Sequence, residues 1–480
     1  MVSKQNPHLK VAIIGAGLAG LRAAQCFEHA NVDYIVYEGS DRVGGRVYPF
    51  AYKNGYLHYG AEYVNGTDNE IYQIVEKHDL LHKPESRTGD LWMLDEGTIT
   101  VVDGKRVEGD KLQVWKDFVQ NCNDALNEEA NIRREWTRSV AEKIDTHLGT
   151  FLESYSHSNN WSENDSADLK KLCAVFKNYF QTEWSSPADE LGMKNLYTWT
   201  DGTDVEDSAV LNEFGFQRIL EEFKKPISNE KIRLNSKVVN IRYGDGDGVW
   251  ITLENGEREF HEAVIVTCSL GYLKRYKKDL FSPPLQSHKD EAIARMGFGS
   301  NMKVFLEYEQ AWWPQTTSTI IAVSENEEPD DKLKDNLMVF QPSSWAHNIL
   351  VAWIAGCGPH EVAQRSDTEL KTIIDEHLKK NLNGLFHVEN STRIFRHDWI
   401  NDQFALGSYS YFTPEIENEN ENNDCIEVLG EPIMFNKRPV ICFAGEHTDP
   451  EIYQTTIGAA RSGYREAARI TLHYTRAVAN

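Results

Sequence analysis

Basic residues are scarce in this chain relative to acidic ones. Fifty lysines and arginines stand against 74 aspartates and glutamates, a formal net charge of −24. Such a balance argues against nucleic acid or an anionic membrane as the partner. Cysteine is sparse and dispersed: the seven, at 26, 122, 173, 268, 357, 425 and 442, form no CxxC pair. An odd, scattered set reads as free thiols in a reducing compartment. No apolar run approaches the roughly 18 residues that span a bilayer. The first residues, MVSKQNPHLK, lack an apolar signal core, and the last, TRAVAN, carry no anchor or SKL-type address. A cytoplasmic location is the expectation, with no membrane or nucleic-acid partner and no metal.

What is present is enough for a large core. The chain has 480 residues, 40% of them apolar, and a mean hydropathy of −0.53. Two domains are expected at this length, and no internal repeat is visible. Twelve Trp, 20 Tyr and 20 Phe serve either core packing or an aromatic-lined pocket.

The chain is organised around Lys10 to Arg46. Val11-Ala12-Ile13-Ile14 reads as a buried parallel strand. Gly15-Ala16-Gly17-Leu18-Ala19-Gly20 follows and opens a helix, and a second apolar run, Tyr34 to Tyr37, ends in Glu38. This is a βαβ unit with a GxGxxG turn. Gly15 permits the tight turn, Gly17 lets a pyrophosphate approach the free N–H groups of the helix start, and Gly20 lets helix and strand pack closely. Leu18 and Ala19 form that helix start, and Glu38 suits an unphosphorylated ribose diol. Asp41-Arg42-Val43-Gly44-Gly45-Arg46 then offers a second backbone approach to phosphate, with Arg46 as counter-charge.

From Glu70 onward the pattern changes to amphipathic helices, with helical spacing from Lys111 to about Ser156. A strand-rich stretch resumes at Ile232 to Ile241 and again at His261 to Cys268. Strands recur at 303–309, 319–323 and 349–355, and Glu415 to Asp424, EIENENENND, reads as a solvated acidic loop. Residues 439–448 form a last strand and turn before a closing helix. The expected organisation is α/β and interleaved. A Rossmann-like domain with a parallel sheet comprises 1–75, 230–290 and 400–480; an α+β substrate-binding domain comprises 76–229 and 291–399.

The spacing E-x-x-D-R-x-G-G-R after the glycine turn resembles the FAD signature of flavin amine oxidases. So does FAGEHT…YQTTIGAARSGYREAAR, from Phe443 to Arg469. The likeness is greatest to polyamine oxidases of the spermine and N1-acetylpolyamine type. It implies a GR2-type FAD domain and assigns roles along the chain. Gly60 and Ala61, with Glu62 and Tyr63 beside them, pass the flavin face. Val238 contacts adenine through its backbone, Trp399 packs near the ring, and Gly445 and Glu446 lie at the ribityl chain. Thr456 opens a helix whose N–H groups face the N1–O2 edge of the flavin. Lys303, in N-M-K-V-F-L-E-Y, matches the lysine that holds a water near flavin N5 and assists the reaction with O2. Tyr409 falls on one wall of the aromatic cage and Thr455 at the opposite one. Ser408 stands where monoamine oxidases carry the cysteine linked to FAD, which implies non-covalent FAD.

Departures bear on the substrate. Asn65 replaces an acid or a histidine, Tyr63 a tryptophan and Gln454 a serine, and Glu183 is the candidate for a remote ammonium. The resemblance implies oxidation of spermine, spermidine or an acetylated form at a carbon beside a secondary amine. Hydride passes to the flavin, the imine hydrolyses to an aldehyde and a shorter amine, and O2 is reduced to H2O2. The expected partners are a small cationic amine and O2, and the expected state is a monomer. The alternatives are a monoamine, amino-acid or lysine-demethylase-like oxidase, or a catalytically idle flavoprotein. Against a demethylase, the chain starts nine residues before its first strand and shows no coiled-coil insertion.

Overall fold

The strand Lys10–Ile14 sends alternate side chains into two different cores. Val11 and Ile13 pack with Leu21 and Phe27 of the helix Leu18–Ala30, while Ala12 and Ile14 pack with Val264 and Ile441. Burial on both faces is why this stretch is continuously apolar rather than alternating. The computed structural model describes residues 9–83, 87–88, 91–158, 162–198, 208–244, 246, 248–325, 332–414 and 425–476. The expected acidic loop at 415–424 lies outside these.

The strand sits in a six-stranded sheet ordered Ile232–Arg233, Asp33–Tyr37, Lys10–Ile14, Ala263–Val266, Arg438–Phe443, Ile433–Phe435. All neighbours are parallel except the last pair. The final helix Thr456–Arg476 lies against the first: Ala460, Ala467 and Ile470 share the core of Leu21 and Phe27. A Cβ on Gly463 would stand 2.1 Å from the carbonyl oxygen of Ala19. Start, middle and end of the chain thus build one α/β layer system. The other face carries an antiparallel meander of Val238–Tyr243, Val249–Leu253 and Arg258–His261.

A seven-stranded sheet runs Arg393–Arg396, Met302–Glu307, Ile349–Ile354, Val339–Pro342, Thr319–Val323, Thr98–Val102, Lys105–Arg106. Along Thr319–Val323, Ile321 and Val323 face the helices Gly109–Ala130, Val140–Ser158 and Glu163–Trp184. Ile320 and Ala322 face the helix Asp367–Leu382. The helices starting at Glu163 and Asp367 open on capping boxes, Ser162 with Asp165 and Ser366 with Glu369. No helix of the described residues is long and apolar enough to cross a membrane.

Three features differ from the sequence expectation. The run Ile232 to Ile241 is two strands in two sheets, broken where Asn235 takes a left-handed φ of 51°. At the break, the N–H groups of Asn235 and Ser236 donate to the carbonyls of Ser40 and Glu38, so the chain changes sheets by gripping the glutamate loop. The helical stretch from Lys111 is interrupted by a short turn, Arg133–Thr137. The helix Gly215–Lys224, expected with the second domain, packs Phe216, Ile219 and Phe223 into the core of the first helix. Its amphipathic pattern says that one face is buried, not against which core.

Candidate active site

The glycine turn is held by its own backbone. Gly15 has φ +104°, and a Cβ there would stand 2.5 Å from Thr267 Oγ1. A Cβ on Gly20 would stand 2.0 Å from the Gly15 carbonyl oxygen. Gly17 differs: the nearest atom to a Cβ there is the Gly44 carbonyl oxygen, at 4.0 Å. No protein neighbour demands a glycine at 17. Gly17 also caps the helix Leu18–Ala30 with no side-chain hydrogen bond, so its first-turn N–H groups suit an anionic ligand. The second glycine segment folds onto the first, with Gly44 N–H donating to the Ala16 carbonyl at 2.8 Å. Glu38, 7% exposed, accepts from Ala16 N–H at 2.7 Å and from the N–H and hydroxyl of Ser40, each at 2.8 Å. A carboxylate offers about four acceptor positions, which leaves about one for a ribose hydroxyl.

Arg46 joins the two ends of the chain. Its Nη1 donates to Glu446 at 2.9 Å and to the Ser408 carbonyl at 2.7 Å. Glu446 also accepts from the Ser410 hydroxyl at 2.7 Å and from Gln454 N–H at 3.0 Å. Burial alone would raise the pKa of this carboxyl, but Arg46, His447 and the Ser410 hydrogen bond outweigh it and hold it below the ordinary value. Gly445 takes φ +141° just before it. Thr456 opens the final helix. The Thr455 hydroxyl is engaged by that helix end: it donates to the Ile452 carbonyl at 2.8 Å and accepts from Gly458 N–H at 3.0 Å.

Lys303 lies at the start of the strand Met302–Glu307 and is 5% exposed. Its Nζ donates to the Gly60 carbonyl and to Glu62 Oε2, both at 2.7 Å. Burial lowers its pKa, with Glu62 working the other way. Trp353 is its cross-strand partner, and the Trp353 ring stands 5.3 Å from Nζ. Gly60 is hemmed in by Arg46 and Trp399: a Cβ there would stand 1.8 Å from the Arg46 carbonyl oxygen and 3.2 Å from the indole. Trp399 donates from its indole N–H to the Tyr59 carbonyl at 3.3 Å.

An aromatic wall continues from here. Tyr63 stacks on Trp353, with centroids 6.4 Å apart and planes 22° apart. The Tyr409 hydroxyl donates to the Thr182 carbonyl at 2.6 Å and accepts from Asn301 Nδ2 at 3.1 Å. Burial pushes both phenols up, and the charge of Glu183 adds to each rise. That coupling sets Glu183, an exposed residue near the end of the helix Glu163–Trp184, in the electrostatic reach of both rings. Asn65 donates to the Ser208 hydroxyl at 3.1 Å. The Ser408 hydroxyl is taken up by the backbone of Asn301, accepting from its N–H and donating to its carbonyl, each at 3.0 Å.

A continuous cavity of about 660 Å³ connects all these groups. Of the residues singled out in the sequence, Gly20 alone does not line it; Ala61 and Val238 do, and so do the others named above. Gly20 lies under the turn, where it packs against Gly15 and Ile13. The sequence reading missed Trp353, Asn301, Phe180 and Trp184, which also line the cavity. Trp353 owes its place to strand register, directly opposite Lys303, which the sequence does not display. Phe180 and Trp184 had no signal beyond an aromatic helix face.

The profile of the family described as flavin containing amine oxidoreductase matches residues 18–471. The chain belongs to the flavin-containing amine oxidoreductases. A peroxisomal N(1)-acetyl-spermine/spermidine oxidase of Bos taurus is 25% identical over 96% of this chain and 94% of its own length. A probable polyamine oxidase 5 of Arabidopsis thaliana is 24% identical over 97% of this chain and 98% of its own. A lysine-specific histone demethylase 1 homolog 3 of Oryza sativa subsp. japonica is 27% identical over 97% of this chain but only 54% of its own. For a flavin-containing amine oxidoreductase, the uncapped helix start beside Gly17 and the part-buried Arg46–Glu446 pair suit an anionic flavin cofactor.

Proposed function

We propose that this protein is an FAD-dependent polyamine oxidase of the GR2-type fold. Its substrates are spermine, spermidine or their N-acetylated forms, oxidised at a carbon beside a secondary amine. The observation that carries the reading is the continuity of the cavity, from the glycine turn at Gly17 through Lys303 to Tyr63, Trp353 and Tyr409. FAD, when bound, supplies the two-electron chemistry: it takes hydride from the amine carbon and passes the electrons to O2, giving H2O2.

The chain's own residues do the rest. The N–H groups of Leu18 and Ala19 and the backbone of Gly45 receive the pyrophosphate, and Glu38 receives a ribose. Val238 meets the adenine through its backbone. Arg46 keeps Glu446 charged at the ribityl end, and the helix start at Thr456 offers N–H groups to negative charge on the ring. Ser408 has no thiol to form a thioether, which favours non-covalent binding. The aromatic wall strips water from the substrate amine and so favours its neutral form, the one with a lone pair to assist hydride loss. Glu183 draws a distant ammonium to the mouth of the cavity, and Asn65 offers a neutral hydrogen bond. Lys303 contributes a buried positive charge where O2 is reduced.

The relatives named as polyamine or N(1)-acetyl-spermine/spermidine oxidases, which match the chain over 94–98% of their own length, support this reading. The test is H2O2 release across spermine, spermidine, their N-acetyl forms, monoamines and amino acids. Turnover of polyamines above all others is expected. Silence on every amine would favour a catalytically idle flavoprotein.

A further inference from the structure

Glu62 lies in the segment that passes the cofactor, yet its contacts give it a second task. Its Oε2 meets the Lys303 ammonium at 2.7 Å, and the Gly60 carbonyl, two residues earlier, meets the same ammonium at 2.7 Å. An ammonium on a four-carbon stem has no fixed direction of its own. Two acceptors on one short segment fix its position and so fix where its remaining N–H points. We propose that Glu62 is a positioning residue for Lys303, holding it as an ammonium and aiming it into the cavity. The inference rests on the reading of Lys303 as the residue that assists O2 reduction.

The surroundings of Lys303 offer no substitute for this counter-charge among the described residues. On the neighbouring strand Ile349–Ile354 it meets the face of Trp353, and on its own strand that of Phe305, 5.8 Å away. His58, on the strand Gly55–His58, is fully enclosed, and burial holds its pKa at about 3, so it is neutral. The Tyr63 phenol, raised by burial, is neutral as well. Arg396, on the strand Arg393–Arg396 at the sheet edge, is tied to Asp367 at 2.7 Å. With a side chain 4% exposed, Lys303 would shed its proton readily if Glu62 were uncharged. The sign is fixed: burial lowers the lysine pKa, Glu62 opposes that, and removing Glu62 lowers it further.

The experiment is a pH titration of the FAD-loaded enzyme carrying lysine labelled with 13C at Cε. The Lys303 resonance is assigned by its absence in Lys303→Met. In Glu62→Gln the midpoint is expected to fall by about one pH unit or more, and Glu62→Asp to lie between it and the wild type. In the same preparations, flavin reduced with dithionite is mixed with O2 across the pH range. Glu62→Gln should reoxidise like the wild type at low pH and about tenfold slower one unit above its own lysine midpoint. Equal Lys303 midpoints in all three proteins, or a slowing that is the same at every pH, would overturn the proposal. The two readings fail separately: normal reoxidation in Lys303→Met would sink the oxygen role of the lysine, whereas the titration judges Glu62 without any amine substrate.

Discussion

Where the cavity meets the strand Lys10–Ile14, its lining is largely backbone: the turn at Gly15 and Gly17, the Gly44-Gly45 loop folded onto it, and one buried carboxylate, Glu38. Where it meets the helix Glu163–Trp184, the lining is side chains: Tyr179, Phe180, Glu183 and Trp184, facing Tyr63, Trp353 and Tyr409 from other segments. The first end depends on one contiguous stretch and on crowded glycines at 15 and 20. The second depends on the meeting of segments more than 200 residues apart, and each of its side chains can change without unfolding the turn. An end built of backbone suits a ligand that stays the same across relatives. An end built of side chains suits one that differs between them.

The pair Arg46–Glu446 ties one end to the other, so breaking it should have the largest effect. Arg46→Ala leaves Glu446, 3% exposed, without its cation. The carboxylate is buried but the arginine side chain is 26% exposed, so the loss falls short of the full cost of breaking a buried pair, at about 1–3 kcal/mol. The urea midpoint should fall accordingly, with loss of bound flavin, and adding Glu446→Gln should recover part of the stability. A midpoint like that of the wild type would mean that the two ends are independent. Next comes Lys303→Met, on the side-chain end. Removing one preorganised charge from a site of developing charge lowers a rate by about 10²-fold. Stopped-flow reoxidation should show that loss with FAD affinity little changed, and unchanged reoxidation would sink the assigned role.

The same contrast explains what the sequence could disclose. Gly15, Gly17, Gly20 and Glu38 are legible because strand, turn, helix and acid lie within 29 residues, from Lys10 to Glu38. Local spacing fixes their geometry. The middle and final strands of the parallel sheet were legible as buried runs, although periodicity could not tell which core the helix Gly215–Lys224 would join. The ion pair of Lys303 with Glu62 was not legible. It joins residues 241 apart, and nothing in either segment names the other. The Thr455 hydroxyl reads from the motif as part of a cage wall, but it is bonded to the end of the final helix. A β-hydroxyl just before a helix start is a favoured cap, so that bond is legible locally, and Thr455 lines the cavity all the same.

Two glycines of one motif separate fold from ligand. Gly20→Ala forces a methyl to within 2.0 Å of the Gly15 carbonyl oxygen and should destabilise the protein by about 1–3 kcal/mol whether or not FAD is present. Gly17→Ala meets no protein atom nearer than 4.0 Å, so the apoprotein should unfold like the wild type while FAD affinity falls. Equal losses of apoprotein stability in the two variants would erase the distinction between a glycine kept for packing and one kept for the ligand.

Tyr409→Phe probes the side-chain end most gently. The hydroxyl is committed to the Thr182 carbonyl and to Asn301 Nδ2, and Asn301 Oδ1 already has no partner among the described residues. Losing one hydrogen-bonded hydroxyl costs about 1 kcal/mol of stability. The ring stays in the wall, so kcat/KM for the best amine should fall no more than about threefold, since the variant removes no apolar surface. The opposite pattern is informative. A tenfold fall in kcat/KM with unchanged stability would mean that the hydroxyl bonds the substrate rather than the helix Glu163–Trp184. The wall would then recognise the amine by a polar contact as well as by excluding water.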